Sequence, residues 1–199
     1  MTEKMHDIFG PGSNLKERIV KDYDTLMGLV MAAKKLGLKI VLTSGTFDLF
    51  HVGHSRYLEA AKSYGDILIV GVDDDIKVKN KKGKHRPVIG EEERMEILCH
   101  CRHVDLVFLK QVENEKWKLV KTIKPDVLIA TKRVYQKDDL VSLEEYCCEI
   151  KLLESQATTS TTAKIRLVLI DPVEKIKQRL SETVEEVNRF LDQLTGGGL

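Results

Sequence analysis

Along the chain, short continuous apolar runs alternate with stretches whose apolar residues recur every three or four positions. The first helical pattern follows Asn14, a plausible cap, with apolar residues at Leu15, Ile19, Tyr23, Leu26, Met27, Val30 and Ala33 and a stop at Gly37. "KIVLTS" (39–44) is apolar without alternation, as in strands buried on both faces. The two patterns then take turns: a helix over 53–64, the strand "DILIVGV" (66–72), a basic loop over 77–88, and the helix "GEEERMEILCHC". The strand "VDLVFL" (104–109), the helix "NEKWKLVKTI" (114–123) and the strand "DVLIA" (126–130) follow, then a short helix near 139–147 and the strand "EIKLLE" (149–154). Strands separated by helices predict βαβ units. The expected fold is α/β: a Rossmann-like, doubly wound parallel sheet of about five strands, with an additional C-terminal helix.

The expected domains are a flexible leader at 1–14, one folded domain over 15–170, and an amphipathic helix and tail over 171–199. In that last helix Val173, Ile176, Leu180, Val184, Val187, Leu191 and Leu194 form an apolar stripe. Two readings stand: the stripe packs on its own domain, or it makes a homodimer contact.

Composition narrows the partners. Lys plus Arg (32) nearly equals Asp plus Glu (31), so no basic excess marks a nucleic-acid binder. No apolar run is long enough to span a membrane, and the N-terminus lacks the apolar core of a secretory signal. The expected compartment is the cytoplasm. The cysteines, Cys99 and Cys101 flanking His100 and the adjacent Cys147 and Cys148, lack zinc-site spacing and suit reducing conditions as free thiols. No metal site in the protein itself is expected.

The chemistry concentrates in "SGTFDLFHVGHSRYL" (44–58), where the first buried strand runs into a helix. His51 and His54 fall one helical turn apart. Taken alone they suit a metal, a packed core or a phosphate. A zinc-protease helix needs a different spacing and a glutamate. The position favours phosphate: ligands of open parallel sheets bind beyond the carboxyl ends of the strands, Gly45 and Gly53 let a backbone or phosphate approach, and the helix N-terminus offers free N–H groups.

The whole string resembles the H-x-G-H signature of the cytidylyltransferase-like nucleotidyltransferases. "CRHVDLV" (101–107) resembles the R-Y-V-D-x-V motif of glycerol-phosphate cytidylyltransferases, with His103 for tyrosine. "TSTTAKI" (159–165) resembles the family's I-S-T-T-x-x-I, and "KKGKHRPVIGEEER" (81–94) resembles a segment of bacterial heptose-1-phosphate adenylyltransferases. The resemblance covers about 15–170. It implies transfer of CMP or AMP from CTP or ATP, with Mg2+, to a phosphorylated sugar or polyol, releasing pyrophosphate. His51, His54, Lys82 and Arg102 are then the expected catalytic residues. Gly45, Thr46, Phe47, Asp48, Gly53, Lys79, Ser160, Thr161 and Thr162 would bind nucleotide. "RHVD" leans to CTP, "KGKHRPV" to ATP. Arg86 would bind the acceptor. After "DVLIA", where relatives often carry a glycine-rich turn, this chain has Thr131, Lys132 and Arg133, which implies a more anionic acceptor held by Lys132 and Arg133. A flavin-adenylating enzyme and an inactive nucleotide-binding module acting through partners are the alternatives.

Overall fold

Strand formation here follows burial. Every residue of the segments Ile67–Asp73 and Val127–Ala130 is buried, which β-branched and aliphatic side chains satisfy only between two layers of helices. The computed structural model describes residues 15–131, 135–154 and 161–194, and side chains at 15, 17–131, 135–154, 173 and 175–193. The chain divides into two compact units, residues 1–158 and 159–199.

In the first unit the elements run α1 (Leu15–Arg18), β1 (Ile19–Val20), α2 (Tyr23–Lys35), β2 (Ile40–Gly45), α3 (Val52–Lys62), β3 (Ile67–Asp73), α4 (Asp75–Lys82) and α5 (Glu91–Cys99). Then come β4 (Leu106–Lys110), α6 (Lys118–Ile123), β5 (Val127–Ala130), α7 (Lys137–Leu143), a 3-10 turn (Glu144–Tyr146) and β6 (Glu149–Leu152). Among the described residues the six strands form one sheet, ordered β1-β4-β3-β2-β5-β6, with every pairing parallel. The chain winds from β2 toward β4 and then back out through β5, so β2 stands at the switch point where such sheets open a crevice. One face packs Leu58 and Ala61 of α3 and Met95 and Leu98 of α5 against Val41, Val70 and Val107. The other packs Leu26, Val30, Leu119 and Ile123 against Leu42, Ile69 and Phe108.

The doubly wound α/β expectation holds, with three corrections. The first predicted helix is broken: Ile19 and Val20 leave it to pair with Val107 and Phe108 as an edge strand, and Asp22 restarts a helix by accepting from the Thr25 N–H at 2.7 Å. The predicted basic loop is largely the helix α4, started by Asp74, whose carboxylate accepts from the Lys77 N–H. The second unit holds α8 (Thr161–Leu194), a 34-residue helix that begins ten residues before the expected domain boundary.

Candidate functional site

The chain leaves β2 at the switch point through a loop that no ordinary sequence would adopt unaided. Phe47 and Leu49 both take left-handed backbone conformations, with φ of 52° and 48°, each costing on the order of 1 kcal/mol or more. The surroundings over-determine them. Asp48, 2% exposed, turns inward. Its carboxylate accepts from the Val88 and Ile89 N–H groups at about 3.0 Å and from Arg86 Nε at 2.8 Å, with Arg86 Nη2 at 2.7 Å. Burial alone would raise the Asp48 pKa; the two backbone donors and the guanidinium outweigh it and hold the carboxyl below its ordinary value. Arg94, 1% exposed, donates to the carbonyls of Thr46, Ile89 and Asp73 and to Asp75. Gly45 lets the Phe47 ring fold back: a Cβ there would lie 3.1 Å from Cε2.

This frame delivers both histidines to the start of α3. His51 is the N-cap, in extended conformation, and its Nδ1 accepts from the Gly53 N–H at 3.1 Å. That bond assigns the neutral ring's proton to Nε2. The His54 ring stacks on His51 with centroids 4.0 Å apart and sits between Phe47 and Phe50. Two imidazoles and a helix N-terminus therefore share one edge of the sheet, a setting for anionic oxygens.

The opposite face of the same carboxyl edge carries a second charged group. Asp73, ending β3, has the ammonium groups of Lys110 at 3.1 Å, Lys81 at 3.3 Å and Lys77 at 3.9 Å. Lys77 and Lys81 lie one turn apart on α4, and Lys110 ends β4. Gly71 makes room for the Lys110 stem, since a Cβ there would meet Lys110 Cδ at 2.7 Å. Burial would raise the Asp73 pKa, but Lys110 and Lys81 hold it below its ordinary value. Lys110 is lowered, first by burial and then by its lysine neighbours, against the pull of Asp73. Three cations on one carboxylate leave positive charge in excess at a partly buried place. Beside it, Tyr135 lies 3.4 Å from the Ser44 hydroxyl and stacks on Trp117 at 4.8 Å. Burial pushes the Tyr135 phenol up to about 12.

The structure thus brings His51, His54, Gly45, Thr46, Phe47, Asp48, Gly53 and Arg86 together. Asp48 and Arg86 spend themselves on each other and on the loop, as positioning groups. Lys79 and Lys82 follow β3 on α4 and are exposed. Arg102 is a correction. It lies exposed in the turn before β4, at the amino edge of a parallel sheet, opposite to the histidines. There Asp105 accepts from the Leu68 N–H and pairs with Lys62, while Arg18 donates to the Val104 and Asp105 carbonyls. Motif proximity in sequence therefore does not bring Arg102 to the site. Lys132, Arg133 and Ser160 lie outside the described residues, as do the side chains of Thr161 and Thr162. The lysines missed by the sequence reading, Lys77, Lys81 and Lys110, were detectable only in part: the Asp74 cap signals a helix that pairs the first two.

The cytidylyltransferase-like family model matches residues 42–177. A bifunctional protein HldE of Geotalea uraniireducens (strain Rf4) is 37% identical over 161 residues, covering 78% of this chain and 32% of the relative. That of Aliarcobacter butzleri (strain RM4018) is 38% identical over 150 residues, with 74% and 31% covered. The chain spans about a third of the length of these curated relatives. Among solved structures, a lipopolysaccharide core biosynthesis protein from Thermoplasma volcanium GSS1 superposes with a TM-score of 0.52 at 26% identity, over 60% of this chain and 97% of that one. By its matched residues and by the loop that carries His51 and His54, the chain belongs to the cytidylyltransferase-like family.

Proposed function

We propose that the protein is a nucleotidyltransferase that moves AMP or CMP from ATP or CTP to a phosphorylated sugar or polyol. The magnesium complex of the nucleoside triphosphate is the donor substrate. An oxygen of the acceptor phosphate forms a bond to the α-phosphorus, the bond from that phosphorus to the bridging oxygen breaks, and pyrophosphate leaves. Nothing in this step needs a covalent enzyme intermediate; placement and charge stabilisation carry it.

The observation that carries the reading is the His51 cap. Its Nδ1 accepts from the Gly53 N–H, which fixes the ring at the helix N-terminus, where a phosphate oxygen would be received, with His54 stacked beside it. The acceptor's phosphate is assigned to the lysines around Asp73, across the switch point from the histidines. The stacked Trp117 and Tyr135 offer an apolar wall with a hydroxyl, a surface that suits a sugar ring. The relatives support a sugar phosphate, because one solved neighbour belongs to lipopolysaccharide core biosynthesis.

The enzyme is assigned to the cytoplasm, where its four free thiols persist. Among the described residues no helix is long and apolar enough to cross a membrane. It is assigned a homodimeric state. The test is pyrophosphate release with Mg2+, using ATP and CTP separately against sugar and polyol phosphates. Release that requires one nucleotide and one acceptor class supports the reading; nucleotide binding with no release across the panel overturns it.

A further inference from the structure

The run Asp73-Asp74-Asp75 ends β3 and opens α4, and its three carboxylates do three different things. Asp73 gathers the ammonium groups. Asp75 pairs with the buried Arg94 at 2.8 Å. Asp74, 6% exposed, divides its two oxygens between two elements. Its Oδ1 accepts from the Lys77 N–H in the first turn of α4 at 2.6 Å, and its Oδ2 accepts from the Val112 N–H in the loop after β4, also at 2.6 Å. The Asp74 N–H donates to the Lys110 carbonyl at 3.1 Å, just past the last β3–β4 partners, Asp73 and Lys110.

A helix cap needs one oxygen and no burial. Asp22 starts α2 from an exposed position, through the Thr25 N–H at 2.7 Å. The second bond of Asp74 has a different use, and it lies in what the two bonds join. One lands on the backbone of Lys77 itself. The other lands just beyond Lys110, whose carbonyl the Asp74 N–H also holds. Lys81 follows Lys77 by one turn of the same helix. A single side chain thus sets the distance between the helix that carries two of the lysines and the strand end that carries the third. Three ammonium groups repel one another, and Asp73 attracts them without fixing where their backbones stand.

We infer that Asp74 is a positioning residue for the acceptor phosphate: its carboxylate clamps α4 to the end of β4 and so holds Lys77, Lys81 and Lys110 at the spacing one phosphate group requires. It acts through the three lysines and touches no substrate. This rests on the assignment, made above, of the acceptor phosphate to those lysines.

The test is Asp74→Ser. Serine ranks with aspartate as a helix cap, so α4 still starts, but the hydroxyl has no second oxygen for the Val112 N–H. Steady-state pyrophosphate release, read beside a melting curve, should show a folded protein whose kcat/KM for the acceptor falls about tenfold or more, the scale of small misplacements of binding groups, with the nucleotide KM unchanged. Asp74→Asn, which caps equally well and offers one acceptor oxygen, should give the same result and serves if the serine variant does not fold. Wild-type acceptor kinetics in the folded variant overturn the clamp, and so does an equal loss for the nucleotide, which a general loosening of the sheet edge would produce. Lys110→Met, run in parallel, tells the two possible failures apart. A loss in Lys110→Met without one in Asp74→Ser strikes the clamp alone; a loss in neither strikes the lysine assignment and the clamp with it. Calorimetric titration with inorganic phosphate repeats the comparison without turnover. Both variants should bind it more weakly than wild type, and weakening in Lys110→Met alone would again overturn the clamp.

Discussion

The two sides of the carboxyl edge were built by different means. The histidine side comes from one continuous segment, residues 45–54, whose functional groups are neighbours in sequence. The lysine side is assembled from the end of β3, one face of α4 and the end of β4, which touch only after the sheet has formed. The first is held by hydrogen bonds to its own backbone and by the buried Asp48 and Arg94. The second is held by ion pairs from three ammonium groups to one carboxylate. A local motif is legible as a word, whereas an assembled site is legible only as a consequence of topology.

If the histidine side stabilises the reacting phosphate, His51→Ala and His54→Ala should each lower turnover by about a hundredfold to a thousandfold, the range for loss of one preorganised donor, with melting temperature little changed. Steady-state pyrophosphate release read beside a melting curve checks this. His51→Ala also deletes the cap to the Gly53 N–H, worth about 1 kcal/mol, so a small loss of stability belongs to the expected result.

Asp48→Ala should destabilise the fold by about 3 kcal/mol, because Arg86 and two backbone N–H groups lose their shared acceptor. Chemical denaturation measures it. The same carboxylate predicts acid lability. Its folded-state pKa is lowered, so its stabilisation is fully present above the unfolded carboxylate value of about 3.9 and is lost as pH falls through the folded value. Denaturation curves from neutral pH down to about pH 3 should show the wild type losing stability relative to Asp48→Asn. Parallel curves for the two would remove Asp48 as the anchor of the loop.

On the lysine side, Lys110→Met should raise the acceptor KM by about tenfold to a hundredfold, the weight of one charge-assisted hydrogen bond, and leave the nucleotide KM alone. Asp73 keeps Lys77 and Lys81 in this variant, so the fold should tolerate it. A rise in the nucleotide KM instead would exchange the roles of the two sides. Smallest of all is Arg102→Ala. At the amino edge it should change neither KM nor turnover by more than about twofold, within RT of nothing. A large loss there would contradict the sheet geometry.

Much of the fold was legible because β2 to β5 are buried on both faces and their helices carry clear three-four periodicity. The parts that escaped have physical reasons. Helical periodicity through Leu15, Ile19 and Tyr23 is real, yet Ile19 and Val20 are β-branched and find an open edge on β4, which sequence spacing cannot see. In α4 only Val78 is buried, so a helix rich in lysine shows no apolar stripe and reads as a loop. The i,i+4 relation of Lys77 and Lys81 becomes meaningful only once that helix exists. The H-x-G-H string announced its own chemistry, but the role of Asp48 did not show, since the partners of its carboxylate lie about forty residues away. Arg102 misled for the complementary reason: a motif residue can stand at the wrong end of a strand.

The measurement that tests the account most directly is Mg2+-dependent pyrophosphate release by the wild type and by His51→Ala, with ATP and CTP each offered with sugar phosphates. The account predicts release by the wild type with one nucleotide and its near loss in a folded His51→Ala protein. Equal release by a folded His51→Ala variant would contradict it.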